Sequence, residues 1–305
     1  MSSGGSMWYM SRPLLSRPPQ SASESEVAAV GAFVRPELNE VQRTAVEALE
    51  ADGIAVFDFV TLFGEELWRD ALADVEPFIR KTEEATRNVG EQPRSKDELI
   101  VRRLFHSPGF RVDGKKPEKP RFSIREPWLK IAASPLLVDI VNSYRGQLTR
   151  LYEVDEWFTV PYPRSGERIA SQQWHRDPEN EHVVKVFVYF TDVDEGAGPF
   201  EYVRGSSAGG RYDHLRPWAD GYRYVEPVDL DAAVAPEDRL TVTGPRGTTI
   251  VCDTGGFHRG GFALTQPRVL TTSTYLPPDT RKRRFKLEYH GEQSSLPPQV
   301  RFVLG

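Results

Sequence analysis

The sequence predicts a mainly β protein: an antiparallel sandwich rolled into a barrel, with helices laid outside it. Three observations predict it. Short runs of β-branched and aromatic residues recur through the second half of the chain, Gly and Pro punctuate them, and the helical periodicities gather towards the N-terminal end. At 305 residues the chain is long enough for one large domain, and β-rich barrels of this size often stay single. The expected organisation is a disordered leader over 1–26, rich in Ser, Gly, Arg and Pro, followed by a single domain over 27–305. With 39 Lys plus Arg against 44 Asp plus Glu, nothing points to nucleic acid or an anionic membrane surface, and small-molecule chemistry is the better expectation. One cysteine, Cys252, excludes an internal disulfide, and no apolar run approaches the roughly 20 residues of a membrane span. A cytoplasmic protein is expected.

Taken in order, Leu38, Val41, Ala45, Ala48 and Leu49 mark a helix opened by Pro36 and stopped by Gly53. Ile54 to Phe59 reads as a strand. Leu67, Ala71, Leu72, Val75, Phe78 and Ile79 then place a second amphipathic helix behind Thr61. Residues 88–127 carry many charges and the prolines Pro93, Pro108, Pro117 and Pro120, and read as loops with short helical pieces in which His106, Arg121 and Arg125 are solvated. Ser134-Pro135 caps a helix that stops at Gly146, and Gln147 to Val160 alternates as a strand. Val183 to Thr191 is a β-branched and aromatic run of strand length; Phe200 to Val203 and Gly247 to Asp253 are further strands. Tyr212 to Asp238 reads as a long insertion whose Trp218, Tyr222 and Tyr224 form a lid or cover the barrel. Arg281 to Arg284 is a solvated patch and Phe285 to Tyr289 a last strand.

The chemistry concentrates at Trp174-His175-Arg176-Asp177. In an extended chain His175 and Asp177 share one face while Arg176 points the other way, so two ligands can meet one metal. A third ligand from a neighbouring strand would complete two imidazoles and a carboxylate on one side of an ion, leaving open positions opposite, the pattern suited to non-heme Fe(II). His258 follows the Gly247 to Asp253 strand, and Arg268 stands ten positions beyond it. His182, His214 and His290 have no such company and read as structural. Cys252 reads as an inert buried thiol.

From Glu40 to Tyr275 the order of these pieces resembles the phytanoyl-CoA dioxygenase family of Fe(II)- and 2-oxoglutarate-dependent oxygenases. The resemblance implies a double-stranded β-helix, the cupin-like jelly roll. It implies that His175, Asp177 and His258 are the iron ligands and that Arg268 grips the distal carboxylate of 2-oxoglutarate, a task suited to a permanently charged, bidentate guanidinium. Arg259 is the alternative for that grip. Thr272 or Ser273 adds a hydroxyl and Gln172 lines the co-substrate pocket. Arg164, Trp174 and Arg259 are candidate substrate contacts, with Arg168 beside them. The implied reaction consumes O2 and 2-oxoglutarate, releases succinate and CO2, and hydroxylates an unactivated C–H bond of a small metabolite. Related halogenases lack a carboxylate at the position of Asp177, so its presence argues for hydroxylation or another oxidative outcome. Two other readings stay open: a non-catalytic jelly-roll module binding a metal or ligand, or the same cofactors used for desaturation, demethylation, cyclisation or epimerisation. The sequence leaves the oligomeric state open.

Overall fold

The computed structural model describes residues 33–87, 99–104, 122–162, 168, 170–177, 179, 183–215, 230, 232–278, 280, 289, 291–292 and 294–305. The expected leader, His106, Arg121, Arg164, His182, His290, the Arg281 to Arg284 patch and Trp218, Tyr222 and Tyr224 lie outside these residues.

Helix α1 (Glu40–Asp52) begins four residues later than Pro36 suggests, because Asn39 and Gln42 form a reciprocal capping box. It ends at Gly53, whose φ of 78° is left-handed and whose missing Cβ leaves room for the Tyr202 hydroxyl. Strand β1 (Ile54–Asp58) follows at once. The second helix expected behind Thr61 is two helices. Asp58, not Thr61, caps the short α2 (Phe59–Phe63), and Gly64 separates it from α3 (Glu65–Thr86). Within the stretch read as loops, Ile100–Leu104 forms β2. Helix α4 (Pro127–Ala132) leads to α5 (Pro135–Arg145), capped by the Ser134 hydroxyl and stopped by a left-handed Gly146. A final helix, α6 (Pro298–Leu304), packs on α5.

The remaining strands are β3 (Arg150–Thr159), β4 (Val184–Tyr189), β5 (Phe200–Val203), β6 (Arg239–Val242), β7 (Thr248–Asp253), β8 (His258–Gly260) and β9 (Arg268–Leu276). They form two antiparallel sheets, a large one in the order β1-β7-β4-β9-β3-β2 and a small one in the order β6-β5-β8. A mutual bridge between His175 and His258 extends the small sheet. The fold is mainly β with flanking helices, as the sequence predicts.

Strand alternation sorts the residues of the large sheet. Val184 and Val186 on β4, Val154 on β3 and Val251 on β7 face outward, into one apolar cluster with Leu49 of α1, Leu129 of α4 and Leu137 and Val141 of α5. Each buried aliphatic side chain there stabilises the fold by roughly 1.5–3 kcal/mol. The opposite face turns to the small sheet. Tyr189, Ile250, Cys252 and Leu270 meet Phe200, Tyr202 and Val242 there. At one end of that inner layer the packing gives way to polar side chains.

Candidate metal and co-substrate site

His175 and His258 lie on facing backbones. Each donates its amide N–H to the other's carbonyl at 3.0 Å, so the two backbones meet antiparallel there; the Asp177 N–H reaches the Thr254 carbonyl at 2.9 Å, two residues off the register of that bridge. Alternation does the rest: His175 and Asp177 point inward, while Arg176 turns back and lays its guanidinium 3.9 Å from the centre of the Phe257 ring. The turn carrying His258 is held from several sides. The Ser206 hydroxyl donates to Val203 and accepts the Phe257 N–H at 2.7 Å, Tyr202 donates its hydroxyl to the Asp253 carbonyl, and Tyr144 of α5 donates to the Asp253 carboxylate at 2.8 Å.

One donor atom from each of His175, Asp177 and His258 falls within 4.8 Å of the others, and all three residues are buried. The tautomers suit a metal. Nδ1 of His175 lies 2.8 Å from the Gln173 carbonyl, and Nδ1 of His258 lies 3.0 Å from that of Gly256. A carbonyl only accepts, so each Nδ1 carries a proton, and Nε2 is the nitrogen left to meet a metal. Burial, followed by the neighbouring His175, pushes His258 down to about 3, so its imidazole is neutral at ordinary pH. For Asp177, burial alone would favour the acid, but Lys185 at 2.7 Å, with His258 and His175, holds the carboxyl well below the usual range. Two imidazoles and a carboxylate form a donor set matching a divalent cation.

These groups open onto a cavity of about 290 Å³ between the sheets. Arg268, the first residue of β9, lines it and is 5 % exposed. One guanidinium nitrogen donates to the Gly198 carbonyl, and among the described residues no carboxylate pairs with it. Burial lowers the pKa of this arginine. A buried guanidinium without a protein counter-ion is what the carboxylate of a bound acid requires. The surroundings fit such a guest. A Cβ at Gly260 would stand 3.1 Å from Arg268 Nη2, so the glycine keeps that side clear. Thr159 lies directly across from Arg268 in the β3–β9 register, and its buried hydroxyl has no hydrogen-bond partner.

The chain matches the phytanoyl-CoA dioxygenase (PhyH) family over residues 28–267. It belongs to that family. Fe(II) is accordingly the cofactor, with 2-oxoglutarate as co-substrate, and the donor set and the orphaned arginine fit both. Among solved structures it resembles the epimerase SnoN in complex with Fe3+, alpha ketoglutarate and nogalamycin RO, at 16 % identity over 77 % of this chain and 83 % of that one, with a TM-score of 0.51. It also resembles EctD from S. alaskensis with bound Fe, at 14 % identity over 91 % of this chain and 88 % of that one, again with a TM-score of 0.51. At such identities the likeness concerns the fold, a jelly roll. No curated protein sequence matches.

The other sequence-predicted residues fall in different places. Gln172 and Thr272 line the cavity, and the Thr272 hydroxyl is buried without a partner. Ser273 sits one residue on, on the opposite face of β9. Trp174 is packed beneath Val203, Leu230, Val234 and Phe257, which places it in an apolar cluster rather than against a substrate. Arg259 stacks over Trp174 at 4.3 Å and pairs with Glu201 at 2.6 Å, with Arg168 on the far side of the same carboxylate. Of the two arginines weighed for the co-substrate grip, only Arg268 lines the cavity. Leu230 and Val234 of the 212–238 insertion pack down on this cluster as a cover.

Four charged residues of the cavity went unread in the sequence: Arg102, Glu153, Glu179 and Lys185. Lys185 had a signal. It is the one charge inside the apolar Val183 to Phe190 run, on the same parity as Phe187 and Tyr189. Arg102 had none, since the buried Asp155 that holds it and the Trp157 ring it covers at 4.6 Å are remote in sequence.

Proposed function

We propose that the protein is an Fe(II)- and 2-oxoglutarate-dependent hydroxylase of a small polar metabolite, acting in the cytosol through a single domain spanning 27–305. The convergence of His175, Asp177 and His258 on one point, with both Nε2 atoms available, carries the reading. In this reading the three residues hold the iron. When bound, the iron and co-substrate together supply O2 activation coupled to the decarboxylation of 2-oxoglutarate.

The protein's part is binding, orientation and exclusion of water. Arg268 anchors the distal carboxylate of 2-oxoglutarate, and Thr159, across the strand pair, offers it a hydroxyl; Thr272 and Gln172 border the same space. Phe187, Phe200 and Leu270 make the wall beside these groups apolar, which strengthens every polar contact within. The cavity lining also includes Arg102 over Trp157, with Glu153 and Glu179, and suits a polar substrate better than a hydrocarbon chain. Hydroxylation is favoured over halogenation because Asp177 fills the position that a halide would need.

Anaerobic addition of 2-oxoglutarate to the Fe(II)-loaded protein should raise the weak visible charge-transfer band of a chelated 2-oxo acid. Arg268→Ala should raise the concentration needed by roughly a hundredfold, as expected for loss of a buried charge-assisted pair. Metal binding with no band at any concentration would favour the non-catalytic binding module instead.

A further inference from the structure

Lys185 carries a full charge in direct contact with one of the three candidate ligands. Its ammonium lies 2.7 Å from Asp177 Oδ2, the same oxygen that stands 3.8 Å from His258 Nε2. The lysine is itself placed by the sheet. In the registers of β4 with β9 and of β9 with β3, Lys185 and Glu153 both oppose Thr274, so the three form one row across three strands with Thr274 in the middle. Glu179, two residues past Asp177, borders the same cavity as Glu153 and Lys185. The side chain of Lys185 is 17 % exposed and that of Asp177 3 %.

We infer that Lys185 is a positioning residue for the metal, fixing the Asp177 carboxylate against the two imidazoles while Glu153 and Glu179 fix the lysine. This rests on the reading of His175, Asp177 and His258 as the metal set. An aspartate has two side-chain torsions and, on an extended segment, can swing away from its partners. A charge-assisted contact to one oxygen removes that freedom, and the carboxylate meets an incoming cation already oriented. Burial disfavours both charges of the pair, and the attraction to Asp177, Glu179 and Glu153 outweighs it for the lysine. A substrate contacting Glu153 or Glu179 would therefore touch the support of a metal ligand.

The test is Co(II) titration of the full-length protein, followed by visible absorption and calorimetry, with thermal melts to confirm folding. Lys185→Met is expected to weaken Co(II) binding about 10–100-fold and to alter the ligand-field bands, and Lys185→Arg, which keeps charge and donors, to recover most of the loss. Glu179→Gln leaves the ammonium but removes one of its anchors, and should weaken binding by about threefold. A folded Lys185→Met protein that binds Co(II) as tightly as the parent, or more tightly, overturns the inference, because the lysine would then act only as a competing cation. Should Lys185→Met not fold, unchanged affinity in Glu179→Gln overturns the anchoring. Asp177→Ala keeps the two failures apart. If it binds Co(II) like the parent, the metal set is wrong; if it does not bind while Lys185→Met binds normally, only the role of the lysine is.

Discussion

Two fully buried carboxylates sit on opposite faces of the large sheet, and they are held in opposite ways. Glu156 points outward from β3 beneath α3, where Arg103 is its cation; Arg103 also serves Asp74 at 2.6 Å. Asp177 points inward, with Lys185 in contact and two imidazoles beside it. Burial pushes Glu156 up to about 7, since its one cation is shared with a second acid. For Asp177 the same burial is overcome, and the carboxyl stays ionised. Depth alone does not mark a functional acid. What separates the two is whether the surroundings leave the charged form better served than the neutral one, and only the inner site does so while pointing two imidazole nitrogens at the same spot.

Removing each acid should break this symmetry most sharply. Asp177→Ala is expected to lower divalent-metal affinity by a thousandfold or more, on the order of 4 kcal/mol, measured by Co(II) or Mn(II) titration, with melting close to the parent. Removal of Glu156 should leave metal affinity within twofold. Metal binding that survives Asp177→Ala would make the inner carboxylate as structural as the outer one.

The same contrast separates what the sequence discloses from what it hides. The three candidate ligands could be picked out because parity and order along the chain are local properties: His175 and Asp177 share a face by alternation, and His258 follows a strand whose apolar run is unmistakable. The core face was legible for the same reason, in Val184, Val186 and Val188. Strand β2 was not. Its five residues include Arg102 and Arg103, which nothing local singles out; only the fold brings each to a buried acid of β3, Asp155 on the inner face and Glu156 on the outer. Trp174 and Arg259 misled because proximity in sequence to a ligand says nothing about face; alternation turns Trp174 away from the cavity that His175 enters. The break at Gly64 was hidden because the five-residue Phe59–Phe63 helix is too short to show a periodicity of its own.

A pH series sharpens the comparison further. The folded-state pKa of Glu156, about 7, lies above its ordinary value of 4.5, so the folded protein binds this proton more readily than the unfolded chain. Its stabilising contribution is therefore complete below about 4.5 and is lost as the pH rises through about 7. The Asp177 contribution has the opposite sign, present at neutral pH and lost only in strong acid. Glu156→Gln should flatten the stability profile between these limits by on the order of 2 kcal/mol, as read from urea midpoints, and a profile unchanged by the substitution would show that Arg103 holds Glu156 ionised after all.

The smallest expected effect tests whether the helical layer reaches the inner site. Tyr144 on α5 donates to Asp253, the last residue of β7, and the turn from Asp253 to His258 also takes support from Tyr202 and Ser206. Tyr144→Phe removes one hydroxyl and little volume, and should cost about 1 kcal/mol of stability. Three independent supports remain for the turn, counting the His175 bridge, so the Co(II) affinity should fall by no more than about threefold. A tenfold loss with unchanged melting would mean that α5 positions His258 directly, and that the boundary between the structural and functional faces of the sheet lies one layer further out than the two carboxylates place it.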